Sequence, residues 1–162
     1  VDQLAYIENL LKTDPYSRRI LWNLWNPSDL DKMSLTCCHY SMQLYVTNKD
    51  NQLYLSGLVN IRSNDLFLGN PFNIFSYYVL IRLLCIRHNM KPLNLTLNIG
   101  DAHIYKSHLC QVKEQLQRPI RSLPVLQLNP ELSTKKWEEI SINDFALLGY
   151  FPHPVIKAEM AV

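Results

Sequence analysis

Residues 93–99 read Leu-Asn-Leu-Thr-Leu-Asn-Ile, a strict alternation of apolar and polar side chains. A period of two fits a strand with one face buried and the other open. Such a strand needs a layer to lie against, and the chain supplies one just upstream. Pro71 to His88 is long and mostly apolar, with a proline placed to suit the first turn of a helix. It holds Asn73, Ser76 and Arg82 and is short for a membrane span, so it reads as a buried helix.

The remaining segments fill in the layers. Asp2 to Lys12 puts Leu4, Ile7, Leu10 and Leu11 on one helical face, and Asp14-Pro15 stops it. Arg18 to Trp25 reads as extended, and Asn26-Pro27-Ser28-Asp29 as a turn. Leu35 to Thr47 is expected to be a strand carrying Cys38-His39. Asn48 to Asn51 is then a polar turn and Gln52 to Ile61 the return strand of a hairpin. His108 to Arg118 is expected to be a shorter helix and Leu123 to Leu128 a further strand. Trp137 to Tyr150 is mixed, and His153 to Val162 is an irregular tail. Strands and helices interleave without regular βαβ repeats, which predicts an α+β layered fold with a mixed sheet.

A chain of 162 residues, 48% apolar and 19% charged, suits a single globular domain. Its formal charge of +2 is too small to imply DNA binding. The four cysteines, Cys37, Cys38, Cys85 and Cys110, match neither a disulfide framework nor a tetrahedral zinc site. They read as reduced thiols of an intracellular, cytoplasmic protein (nucleus or mitochondrion also compatible), with no metal and no membrane. No signal-peptide pattern opens the chain.

Several polar groups could carry chemistry. A thiol directly before a histidine, as Cys38 stands before His39, can serve as a nucleophile where cations or donors favour the thiolate. Alone, it reads better as a small buried hydrophobe, with Cys37 a competing candidate. Arg18, Arg19 and Arg62 are fixed cations whose forks match phosphate oxygens, or simply solvated surface. Asn73 offers a donor and an acceptor together and can match the O4/N3–H edge of uracil, while Asp65 and Asn73 also suit turn and cap chemistry. His103 and Tyr105 alternate on an expected strand, so both point to one face.

In this order and spacing the motifs resemble those of thymidylate synthase along nearly the whole chain. They include Asp14-Pro15-Tyr16-Ser17-Arg18-Arg19, Trp25-Asn26-Pro27-Ser28-Asp29-Leu30, Cys38-His39 with Gln43, and Arg62-Ser63 with Asp65. Leu68-Gly69, Pro71-Phe72-Asn73-Ile74, Gly100-Asp101, His103, Tyr105, His108, His153-Pro154 and Met160-Ala161-Val162 complete the set. The resemblance implies a layered fold whose mixed sheet forms a dimer interface, with helices on the other face. It makes residues 1–162 the C-terminal catalytic portion of the domain.

The resemblance also implies a methyltransferase of nucleotide biosynthesis. It would convert dUMP to dTMP with 5,10-methylenetetrahydrofolate through a covalent adduct between Cys38 and uracil C6. The implied roles are Arg62 and Ser63 on the phosphate, Arg62 also assisting the thiol, and Asn73 selecting uracil over cytosine. His103 and Tyr105 would hold the deoxyribose hydroxyl. Asp65, Leu68, Gly69, Phe72 and Ala161 would line the folate side, with Asp65 also in the catalytic set. Arg18 and Arg19 would reach the phosphate of the other subunit in a homodimer, and the tail would close over the folate. An upstream half, or a fused dihydrofolate reductase as in some members, would complete the protein. The chain departs from the family at Ile61, where a glutamine is usual, at Thr36-Cys37, where a proline pair is usual, and at Phe75. The Asn48–Gln52 hairpin also reads as longer than usual. Two other roles fit the same residues: a non-catalytic structural or assembly subunit, and a dUMP hydroxymethylase.

Overall fold

The structure, a computed structural model, describes residues 1–160. Four strands form one sheet in the order β1 (Leu21–Asn23), β2 (His39–Lys49), β3 (Gln52–Asp65) and β4 (Lys91–His103). The first three run antiparallel and β3 pairs β4 in parallel, so the sheet is mixed. A parallel pair needs a crossover, and helix α2 (Asn70–Arg87) provides it. Helix α1 (Gln3–Thr13) precedes the sheet and α3 (Leu109–Gln117) follows it. Strands β5 (Val125–Leu128) and β6 (Phe145–Leu148) make a separate antiparallel pair.

The alternation in β4 does what a period of two requires. Leu95, Leu97 and Ile99 pack against the core, and Asn94, Thr96 and Asn98 stay exposed. On the same face Met42, Leu44, Val46, Leu55, Val59 and Ile61 are almost fully buried with Ile81, Leu84 and Cys85 of α2 and Ile7 and Leu11 of α1. Each buried aliphatic side chain contributes about 1.5–3 kcal/mol. The opposite face carries polar pairs: Asn98 Nδ2 donates to Asn60 Oδ1 (3.0 Å), and Asn60 Nδ2 donates to Ser41 Oγ (2.9 Å). The layered α+β architecture is therefore as the sequence indicates.

Several boundaries differ. The expected four-residue turn shrinks to Asp50-Asn51, because both residues take positive φ (51° and 62°) and close a two-residue hairpin. Asn48 and Lys49 join β2, and β3 runs on to Asp65, so the extra length lies in the strands. The extended stretch after Arg18 narrows to Leu21–Asn23. Cys38 sits just ahead of β2, at a bend, rather than on the strand. Tyr105 lies past the end of β4, leading into the 3-10 turn Lys106–His108, so it does not alternate with His103 on a strand.

A polar network ties the ends of this layer together. Glu8 accepts from Arg87 Nε (2.6 Å) and Trp137 Nε1 (2.9 Å), with His88 Nε2 at 3.7 Å. Arg87 also donates to the carbonyls of Leu132 and Lys135 and stacks 4.7 Å from the Trp137 ring. Burial raises the Glu8 carboxyl, but the hydrogen bonds from Arg87 and Trp137 and the charges of Arg87 and His88 outweigh it and hold it below its ordinary value of 4.5. Burial lowers His88 from 6.5, a shift the Glu8 charge only partly opposes.

Both groups therefore bind protons more readily in the unfolded chain, and stability rises with pH. The thermal midpoint should fall as pH drops below 6.5 through His88, and again below 4.5 through Glu8. Glu8→Gln should cost about 1–2 kcal/mol at neutral pH, or about 2–8 °C, and flatten the fall below the carboxylate range. Calorimetry across pH checks this; an unchanged acid limb in the variant would contradict it.

Candidate active site

Arg62 builds the site around the thiols. Its backbone N–H donates to the Cys38 carbonyl (2.8 Å), extending β2–β3 pairing one step past His39. Its side chain then turns back to the same segment, with Nε donating to Cys37 O (3.0 Å) and Nη2 to Thr36 O (2.6 Å). A register shift between His39 and Ser41 bends the strand here. Cys38 is half-buried against the main core. His39 Nδ1 and the Tyr77 hydroxyl share a 2.8 Å hydrogen bond with their rings stacked. Burial lowers the histidine and raises the phenol, so the pair meets as two neutral groups.

The neighbouring strand ends bring in the next residues. Ser63 lies opposite Asp101 and Asp65 opposite His103 in the β3–β4 pairing. Asp65 Oδ1 accepts from Phe67 N (2.9 Å) and Leu68 N (3.2 Å), which folds the loop that launches α2. That loop needs Gly69, because a Cβ there would lie 3.0 Å from Asp65 O and 3.5 Å from Asn73 Oδ1. Asn73, in the first turn of α2, accepts through Oδ1 from Asn64 Nδ2 (3.0 Å). Asn64 is 3% exposed, and its own Oδ1 is buried with no hydrogen-bond partner among the described residues.

Asn64 is the site residue that residue-by-residue sequence reading passes over. It fixes which way the Asn73 amide faces. Its place beside Asp65 in Arg62-Ser63-Asn64-Asp65 was the available signal. Phe72 projects from the same turn, 74% exposed.

His103 meets Tyr105 edge-on at 5.1 Å, and Tyr105 meets His108 at 5.7 Å. His103 Nδ1 lies 3.5 Å from Asp101 Oδ2, without hydrogen-bond geometry. His108 is a second residue missed as a site group: it is 1% exposed, and its Nε2–H donates to the Glu159 carbonyl (2.7 Å). The tail thus lies over Leu68, Ser107, His108 and Gln111 and encloses a pocket of about 770 Å³. Arg118 holds the Pro154 carbonyl (2.6 Å), and His153 donates to Pro119 O (2.9 Å). Ala161 lies outside the described residues.

Two sequence candidates stay apart from this cluster. Arg18 and Arg19 are exposed in the turn before β1, and neither guanidinium pairs with a side chain among the described residues. Ile61 is 1% exposed within the main core, so it packs under the sheet instead of lining an open wall. Among the described residues no group of three or more His, Cys, Asp or Glu side chains could hold a metal ion. No helix there is long and apolar enough to cross a membrane.

The His108–Glu159 bond makes a direct prediction about the tail. His108→Ala removes one hydrogen bond of about 1 kcal/mol, so tryptic cleavage after Lys157 should become about fivefold faster. Limited proteolysis reads this, and an unchanged rate would show that another contact holds the segment.

Comparison with known proteins agrees with this geometry. The pattern of the thymidylate synthase family matches residues 1–162. Thymidylate synthase of Saccharomyces cerevisiae is 40% identical over 167 aligned residues, covering 100% of this chain and 54% of that protein. The solved structure of thermostable thymidylate synthase A from Bacillus subtilis superposes with a TM-score of 0.88 at 40% identity, covering 100% of this chain and 56% of that one. The chain thus spans about half the length of the relatives it matches. The match along the whole sequence and the shared fold place the chain in the thymidylate synthase family.

Proposed function

We propose that residues 1–162 are the C-terminal catalytic portion of an enzyme that methylates dUMP to dTMP with 5,10-methylenetetrahydrofolate. The observation that carries this reading is the triple hold of Arg62 on Thr36, Cys37 and Cys38. It fixes the backbone that carries both thiols at the strand ends that also bear Asp65 and His103.

Uracil C5 is a poor nucleophile until a thiolate has added at C6, so Cys38 forms a carbon–sulfur bond there and leaves an enolate that is reactive at C5. Arg62 and Ser63 bind the phosphate, Arg62 with the part of its fork not committed to backbone carbonyls. Asn73, held by Asn64, presents an amide edge that pairs with uracil O4 and N3–H and disfavours cytosine. His103 and Tyr105, edge to edge, bind the deoxyribose hydroxyl.

The folate supplies the one-carbon unit and the hydride. The residues present fit a flat heterocycle with polar edges. Phe72 and Leu68 offer an apolar wall, and Gly69 keeps the loop close. Asp65 has a second carboxylate oxygen beyond the one used by the loop. The buried, unpartnered Oδ1 of Asn70 and Oε1 of Gln111 leave further acceptors nearby. The tail, pinned by His108, shields the reaction from water.

The protein works as a homodimer in this reading. The open face of the sheet is the contact surface, and the exposed Arg18 and Arg19 reach the partner's phosphate. Helix α2 is apolar nearly all round, yet Phe72, Ile74 and Phe75 lie bare, which favours cover by the further half of the family's fold.

Release of tritium from [5-³H]dUMP in the presence of methylenetetrahydrofolate tests the proposal. Cys38→Ser should cut the rate by at least about a thousandfold. A wild-type protein that binds dUMP but releases no tritium would favour the structural-subunit role. Product mass separates a methyl from a hydroxymethyl group. The burial of Ile61 takes away the altered wall that would have favoured the latter.

A further inference from the structure

Cys37 and Cys38 are adjacent, and the fold treats them unlike the other two cysteines. Cys85 is buried in the main core, and burial pushes its thiol up to about 12 against the opposing pull of Arg82, so it stays protonated and inert. Cys110 stands exposed on α3. Cys37 and Cys38 are both half-buried. The chain bends at Cys38, so the two side chains are not driven to opposite faces as successive strand residues would be.

Arg62 grips this segment only through backbone carbonyls, those of Thr36, Cys37 and Cys38. The sulfurs are free of that grip. Cys37 Sγ makes a weak donor contact to the Leu24 carbonyl at 3.4 Å. Arg62 therefore restrains neither sulfur, Cys38 packing against the main core and Cys37 touching Leu24 O.

We propose that Cys37 is a resolving thiol for Cys38, closing a reversible vicinal disulfide when hydrogen peroxide oxidises the nucleophile. In the first step the Cys38 thiolate attacks peroxide. The O–O bond breaks, Cys38 becomes the sulfenic acid and hydroxide leaves. In the second, Cys37 sulfur attacks Cys38 sulfur, the S–O bond breaks, and the oxygen departs as water with the Cys37 proton. Two thiols and one peroxide give one disulfide and two waters.

Adjacency makes the bond labile. Neighbouring Cα atoms lie about 3.8 Å apart across a trans peptide, short of the usual disulfide span of about 4.4–6.8 Å, so the bond closes under strain, and strain raises reducibility. The device suits protection: without a resolving thiol, sulfenic acid proceeds to sulfinic acid, which thiols do not reverse. The disulfide needs only the two sulfurs, while its effect on turnover rests on the proposed role of Cys38.

The test treats the purified protein with several molar equivalents of hydrogen peroxide, enough for two successive oxidations of one thiol, then digests it with trypsin. The peptide 33–49 contains Cys37 and Cys38 and neither other cysteine. In wild type it should be lighter by about 2 Da and resist iodoacetamide until dithiothreitol is added. In Cys37→Ser it should instead gain about 32 Da placed on Cys38 by fragmentation, apart from any sulfoxide on Met33 or Met42, with at least about fivefold less Cys38 thiol recovered by dithiothreitol. Sulfinate forming equally in both proteins, or Cys38 crosslinked to Cys110 or to a second chain, would overturn the proposal. Tritium release by the reduced protein, measured beforehand, keeps failure of the catalytic reading separate from failure of this one.

Discussion

Arg62 is the joint on which the rest of the site depends. A strand arginine whose own N–H continues the sheet ladder sends its side chain back to the loop ahead of the neighbouring strand. The loop before β2 has no ladder of its own there, so without the guanidinium the proposed nucleophile would rest only on the core packing of Cys38 and the Cys37 contact to Leu24. A planar fork can hold two carbonyls and still present donors to an anion, which a lysine ammonium cannot do in the same geometry. The strand alongside respects this joint: a Cβ on Gly100 would come within 3.1 Å of the Arg62 carbonyl. Holding the segment that bears the thiols and, in the proposed function, receiving the phosphate thus fall to one residue.

Around that joint the fold is asymmetric. One face of the sheet is packed by α1 and α2, while the other mixes asparagine, serine and threonine with exposed Tyr45 and Leu58. Helix α2 buries Ile81, Leu83, Leu84 and Cys85 in its C-terminal half but leaves Phe72, Ile74 and Phe75 bare at its start. The bare turn is the one that carries Asn73. The apolar wall proposed for folate and the surface that invites further chain are therefore contiguous. This fits a family whose known members run to about twice this length.

Much of the architecture was legible because it rests on period and punctuation. The alternation at 93–99, the apolar run from Pro71 and the Asp14-Pro15 stop each became what local physics demands. What was not legible depends on partners far away in sequence. Asn48 and Lys49 looked like turn residues until Asp50 and Asn51 both took left-handed φ and closed the hairpin in two. Tyr105 looked like a strand residue because strand ends carry no residue signature, and β4 stops at His103. Ile61 looked like a site-wall change but is a core residue, since only pairing with β2 decides which face it takes. Asn64 and His108 matter through the Asn73 amide and the Glu159 carbonyl, contacts that no spacing rule announces.

The most direct test of the account is intact mass spectrometry of the protein incubated with 5-fluoro-2′-deoxyuridine monophosphate and methylenetetrahydrofolate, with Cys38→Ser and Arg62→Lys alongside. Fluorine at C5 blocks the proton loss that completes the reaction, so a competent site traps itself covalently. The account predicts a ternary adduct in wild type, none in Cys38→Ser, and a strongly reduced yield in folded Arg62→Lys. An adduct that survives Cys38→Ser, or one indifferent to the loss of the Arg62 fork, would contradict it.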